Sequence, residues 1–106
     1  MENSEKLEYF LAYLVQLVGM VAFPMEKVYR VVGTSPRLLR AFNSCDGTVT
    51  QAEIAKKHRI DPGNFSRTAN RWVINGVAFR IGSGKDARLL HIYPVPTAPP
   101  KETKKK

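Results

Sequence analysis

The stretch Asp61-Pro62-Gly63-Asn64-Phe65-Ser66-Arg67-Thr68-Ala69-Asn70-Arg71-Trp72 constrains the fold more than any other. Its spacing predicts a helix over 62–75. Asp61 can cap the first turn, and Pro62 suits the first helical position, where a backbone N–H would lack an intrahelical partner. At about 100° per residue, Phe65, Ala69, Trp72, Val73 and Gly76 fall on one side. Gly63, Asn64, Arg67, Asn70 and Arg71 fall on the other. One side suits a core and the other a polar partner. Arg can fork onto guanine and Asn can pair with adenine in a major groove, so the outward row is a candidate base-reading surface. Gly63 adds no side chain, which would let the backbone come close to a duplex.

Charge supports a polyanionic partner, through its distribution more than its total. Residues 1–49 carry five Lys/Arg against five Asp/Glu, residues 50–93 eight against three, and residues 94–106 four against one. The positive excess lies in the half that holds the Asn/Arg helix. With 106 residues, 43% of them hydrophobic, the chain suits one domain with a modest core. The single cysteine, Cys45, excludes an internal disulfide and a cysteine-based zinc site within one chain. It reads as a small, partly buried hydrophobe near a helix end and fits a reducing, cytoplasmic setting.

The first predicted element is a helix over 5–23. Leu7, Phe10, Leu11, Leu14, Val15, Leu17, Val18, Val21 and Ala22 share one broad face, and Pro24 ends the run. No charge occurs from Tyr9 to Met25. That run is at the short edge of what crosses a bilayer and contains Gln16 and Gly19, and the acidic residues before it do not resemble the start of a signal peptide. We therefore expect the helix to pack on the domain and on a second copy of itself, with Leu7, Leu11, Leu14, Val18 and Val21 as the dimer interface. A short amphipathic run, Met25 to Val32, follows, with Val28, Tyr29 and Val32 inward and Gly33 as its stop. Ser35-Pro36 opens a helix with Leu38, Leu39 and Phe42 inward. Asp46-Gly47 signals a tight turn, and Thr48-Val49 a short strand.

Thr50-Gln51-Ala52-Glu53 has the capping-box pattern and starts a helix with Ile54, Ala55 and His58 inward. A four-residue turn, His58 to Asp61, leads into the Asn/Arg helix. Two short helices so joined, the second basic and polar outward, form a helix-turn-helix. Val77 to Ile81 and Arg88 to Tyr93 are β-like, and the loop between them, Gly82-Ser83-Gly84-Lys85-Asp86, is glycine-rich and basic. A hairpin in this position is a wing, and its tip at 82–87 would meet the phosphate backbone or the minor groove. Residues 94–106, with four prolines and a lysine-rich end, are expected to form a disordered tail after a domain spanning 1–93.

These residues together resemble a winged helix-turn-helix transcription regulator of the MarR type. The resemblance rests on Thr50-Gln51-Ala52-Glu53-Ile54-Ala55, Ile60-Asp61-Pro62, Phe65-Ser66-Arg67, Gly76-Val77 and the Asp86-Ala87-Arg88 wing element, and it covers about Leu38 to Tyr93. It implies a mainly α fold with a small β-wing and an extra N-terminal helix, acting as a homodimer on pseudo-palindromic double-stranded DNA. It also implies base contacts from Asn64, Arg67, Asn70 and Arg71, phosphate contacts from Thr50, Gln51 and Ser66, and a wing contact from Lys85. Arg88 is a further candidate, braced by Asp86. The sequence departs from the pattern in three places. A Pro-rich stretch follows the wing where the family has long dimer helices, so dimerisation would rest on the N-terminal helix. His58 stands at a usual leucine, and Arg59 at a usual glycine.

The sequence has no catalytic constellation. His58 and His91 lie on separate elements with no metal-ligand or triad spacing around them, so neither enzymatic activity nor a metal or other cofactor is expected. A sequence-specific regulator is the leading expectation. The others are an architectural protein that coats any duplex, a protein-interaction module with its basic face on an acidic partner, and a membrane-tethered form using Tyr9 to Met25. A random-duplex competitor, binding at low salt and fractionation separate them.

Overall fold

The structure, a computed structural model, describes residues 3–98, with the side chains of Asn3 and Lys85 outside the description. The lysine-rich end at 104–106 lies outside the described residues. Among the described residues, five helices and a small antiparallel sheet follow one another as α1 (Asn3–Ala22), α2 (Met25–Val32), α3 (Pro36–Asn43), β1 (Asp46–Thr50), α4 (Gln51–Lys57), α5 (Pro62–Ile74), β2 (Ala78–Ile81) and β3 (Arg88–His91). A single 3-10 turn, Gly84–Asp86, lies between β2 and β3. This is a mainly helical chain with a three-stranded sheet in the order β1-β3-β2.

The core gathers beneath α5. Trp72, Phe42 and Phe65 are fully buried with Leu39, Ile54, Leu89, Val28, Val32, Val77 and Cys45. The Trp72 ring meets Phe42 edge-on at 5.3 Å and Phe65 edge-on at 5.6 Å. That geometry sets the positive edge of one ring against the negative face of another. The expected inward faces of α2, α3, α4 and α5 are present, with adjustments. Tyr29, Leu38 and Val73 are half-buried rather than sealed, and Ala41 joins the buried side of α3.

Local chemistry sets the element ends. The Ser35 hydroxyl accepts from the Leu38 N–H at 3.4 Å to start α3. Asp46-Gly47, expected as a tight turn, instead opens β1. Asp46 pairs with Leu90 and Thr50 with Arg88, so β1 bulges between these two pairs, with Gly47 at φ +85°. The Asp46 carboxylate accepts from the Thr48 N–H at 2.9 Å and the Thr48 hydroxyl at 2.5 Å. Burial alone would raise the Asp46 pKa, but these bonds outweigh it and lower it.

Two expectations are corrected. The first concerns α1, which begins by Asn3 rather than residue 5. Its broad apolar face was expected to pack on the domain and on a second copy, but the domain does not cover it: Leu7, Phe10, Leu11, Leu14, Leu17, Val18 and Val21 are all exposed. The side carrying Gly19, the only buried residue of α1 among those described, meets the body instead. A Cβ at Gly19 would lie 2.7 Å from the Ile92 Cβ, so the missing side chain lets the helix backbone approach the end of the sheet. After α1 the chain bends by 100° into α2, and among the described residues no single helix is long and apolar enough to cross a membrane.

The second correction concerns the tail, which was expected to loosen at Pro94. Val95 is buried, and the Asn43 side-chain amide pairs with its backbone in both directions, at 2.7 and 2.9 Å. The Tyr29 hydroxyl donates to the Pro96 carbonyl at 2.7 Å. Val95 and Pro96 are thus held to the body, because side chains satisfy backbone groups that no strand partner reaches.

Candidate nucleic-acid interface

The capping box at the start of α4 is complete. The Thr50 hydroxyl accepts from the Glu53 N–H at 3.1 Å, and the Glu53 carboxylate accepts from the Thr50 N–H at 2.8 Å. These bonds, with a smaller contribution from Arg88, lower the Glu53 pKa. The end of α4 closes with the N–H of Arg59 on the Lys56 carbonyl and the N–H of Ile60 on the Ala55 carbonyl. This double closure requires a left-handed residue, and Arg59 supplies it at φ +58°. Arg59 thus takes a conformation that glycine would hold at no steric cost.

His58, ahead of that turn, is half-buried, and its Nε2 lies 2.9 Å from the Ser44 hydroxyl. Burial, then the charges of Lys57 and Arg40, lower its pKa. The four-residue turn delivers the chain to α5, where the Asp61 carboxylate accepts from the Asn64 N–H at 3.0 Å. The capped helix then runs to Ile74, one residue short of the expected 75, with Asn75 as its C-cap and Gly76 beyond at φ +81°.

Phe65, Ala69 and Trp72 of α5 are sealed in the core, while Asn64, Arg67, Asn70 and Arg71 are exposed. Arg67 donates through Nη2 to the Asn64 side-chain carbonyl, three residues away. That bond orients the guanidinium and leaves its other N–H groups directed outward. Ser66, half-buried, and Asn70 border an open cleft of about 530 Å³ between α5 and the β2–β3 hairpin. Its other walls are Gln51, Ala52, Ala55, Pro62, Gly63, Phe65, Arg80, Gly82, Ser83 and Gly84. Residues of α4, α5, β2 and the hairpin loop therefore share one concave surface of mixed polarity, with Arg80 as its cation.

The remaining candidates are divided. The Thr50 hydroxyl is engaged in the cap, and Gln51 is held twice. Its N–H donates to the Ala87 carbonyl at 2.7 Å, and its Oε1 accepts from Arg80 Nη2 at 3.3 Å. The Lys85 side chain lies outside the described residues. Arg88 is exposed opposite Thr50, and no ion pair joins it to Asp86 among the described residues. The expected Asp86 brace is not seen; Arg88 pairs with Thr50 across β1 and β3. The Gln51 bonds to Ala87 and Arg80 tie α4 to the hairpin instead.

Arg80 was missed by sequence reading. It is half-buried and shares the inner side of the sheet with its cross-strand partner Leu89. A cation at an inward position of an alternating strand was the signal, since burial there needs a polar partner. The five dimer candidates on α1 are exposed, apart from the cleft. Cys45 is buried, and burial, then the Asp46 charge, push its thiol up to about 12. Among the described residues, no group of three or more His, Cys, Asp or Glu is placed to hold a metal ion. Neither a protein-family model, nor a curated protein, nor a solved structure matches this chain.

Proposed function

We propose that this chain is a winged helix-turn-helix transcription regulator that reads double-stranded DNA by sequence. In this reading α5 enters the major groove, Arg67 forks onto guanine, and Asn70 or Asn64 pairs with adenine. The hairpin tip at 82–87 lies on the backbone or in the minor groove as the wing, and Lys56, Lys57 and Arg59 face the flanking phosphates.

The observation that carries this reading is the division of α5. Asn64, Arg67, Asn70 and Arg71 are exposed on a helix whose opposite side is buried through Phe65, Ala69 and Trp72. Base reading needs a rigid helix with forked donors outward, and both conditions come from one element. The order of helix, four-residue turn, helix and glycine-tipped hairpin supports the same reading.

Selection from a pool of random duplexes tests it. Enrichment of a short motif with guanine and adenine at fixed positions is expected. A bound pool that stays random would leave a coat for any duplex, and no binding even at low salt would remove duplex reading altogether.

A further inference from the structure

We infer that Arg37 and Arg40 of α3 extend the duplex contact beyond the helix pair, each taking a backbone phosphate on the flank of the site. This rests on the duplex binding proposed above, though not on base reading. The two arginines are three residues apart, so they share one side of α3, and both are exposed. Leu39 and Phe42 fix that helix to the core. The Ser44 hydroxyl donates to the Arg40 carbonyl at 3.1 Å and lies 2.9 Å from His58 Nε2, which ties the end of α3 to the end of α4. After burial, the charges of Lys57 and Arg40 lower the His58 pKa, so both cations lie near that junction. The row therefore runs from Arg37 and Arg40 across the junction to the exposed Lys56, Lys57 and Arg59. Arg59 stands in the turn that delivers α5.

Among the described residues, no carboxylate forms an ion pair with this row. Glu53 stands one turn before Lys57, but its carboxylate accepts from the Thr50 N–H at 2.8 Å. Asp46 is held by Thr48, and Asp61 by the Asn64 N–H. Helix α3 itself has no acidic residue. A surface that serves solubility alone intersperses both signs. Here the carboxylates are held on backbone N–H groups and the cations are left together, repelling one another until a polyanion neutralises them. Position favours the duplex as that polyanion. The first helix of a helix-turn-helix crosses the phosphate backbone, so a row running off its end meets the next phosphates.

The salt dependence of binding to a random-sequence duplex tests the inference. Each phosphate neutralised steepens the fall of log affinity with log salt by about 0.9. Arg37→Gln/Arg40→Gln should therefore flatten the slope by about 1.8. Arg37→Lys/Arg40→Lys should keep the wild-type slope, because lysine retains the charge. Both variants should keep the wild-type urea midpoint, since the two side chains are exposed. Phosphate ethylation should block wild-type binding at flanking positions that no longer matter to the Gln variant. An unchanged slope in the Gln variant would overturn the inference and leave the reading of α5 in place. So would a flattened slope in the Lys variant, or lost phosphates that lie within the groove α5 covers. A selected pool that stays random bears on α5 alone, because the slope is read on a random duplex. No duplex binding by the wild-type chain at low salt would remove both.

Discussion

Arg59 and His91 carry costs that other residues at their positions would avoid. Arg59 holds the left-handed turn between α4 and α5 against its own Cβ. Arg59→Gly should therefore raise stability by up to about 1 kcal/mol, read as a higher urea midpoint at unchanged slope. A lower midpoint would mean that the arginine side chain contributes more than its backbone costs. His91 is buried, its ring lies 5.5 Å from Phe42, and its Nδ1 has no hydrogen-bond partner. Burial lowers its pKa from the ordinary 6.5, against the opposing pull of backbone hydrogen bonds and Asp46. His58 is shifted the same way. The unfolded chain thus takes up protons at these sites first as the pH falls. The stability they confer is complete above about pH 6.5 and drains away as acid carries the pH through the lowered folded values. The melting temperature should drop between about pH 7 and pH 5, and less in His91→Phe. Equal pH dependence in the two proteins would exclude His91 as the cause.

Helix ends and faces were legible in the sequence where the residues that decide them lie within a few positions of one another. The Thr50–Glu53 box, the Asp61 cap and the Trp72 stripe are of this kind. Periodicity also found α1, but it grouped half-buried Val15 with side chains that stand exposed. It could not say which group meets the body, because that depends on Ile92, far along the chain. The docking of Val95 by Asn43, 52 residues away, was hidden for the same reason. Arg80 was hidden because its partner Gln51 sits on another element. Gly19→Val tests the α1 seat. Its added carbons must displace Ile92 or lift the helix, and overpacking of this kind costs about 1–3 kcal/mol. An unchanged melting curve would show that α1 is not seated where Gly19 meets Ile92.

At the scale of the molecule, the sealed side of α5 ties the candidate surface to the core, and α1 leaves the body on its own seat. These parts have separable roles: Trp72 and Phe65 hold the helix, Gln51 and Arg80 hold the hairpin beside it, and in the proposed reading the outward row meets the duplex. Changing outward side chains should then alter recognition without altering folding. The most direct measurement is the preference for a selected duplex over a scrambled one, compared between the wild-type chain and Arg67→Ala/Arg71→Ala at fixed salt. The account predicts that the double variant melts as the wild type does but loses about 1–3 kcal/mol of preference for each base contact removed. A double variant that is folded and as selective as the wild type would contradict it.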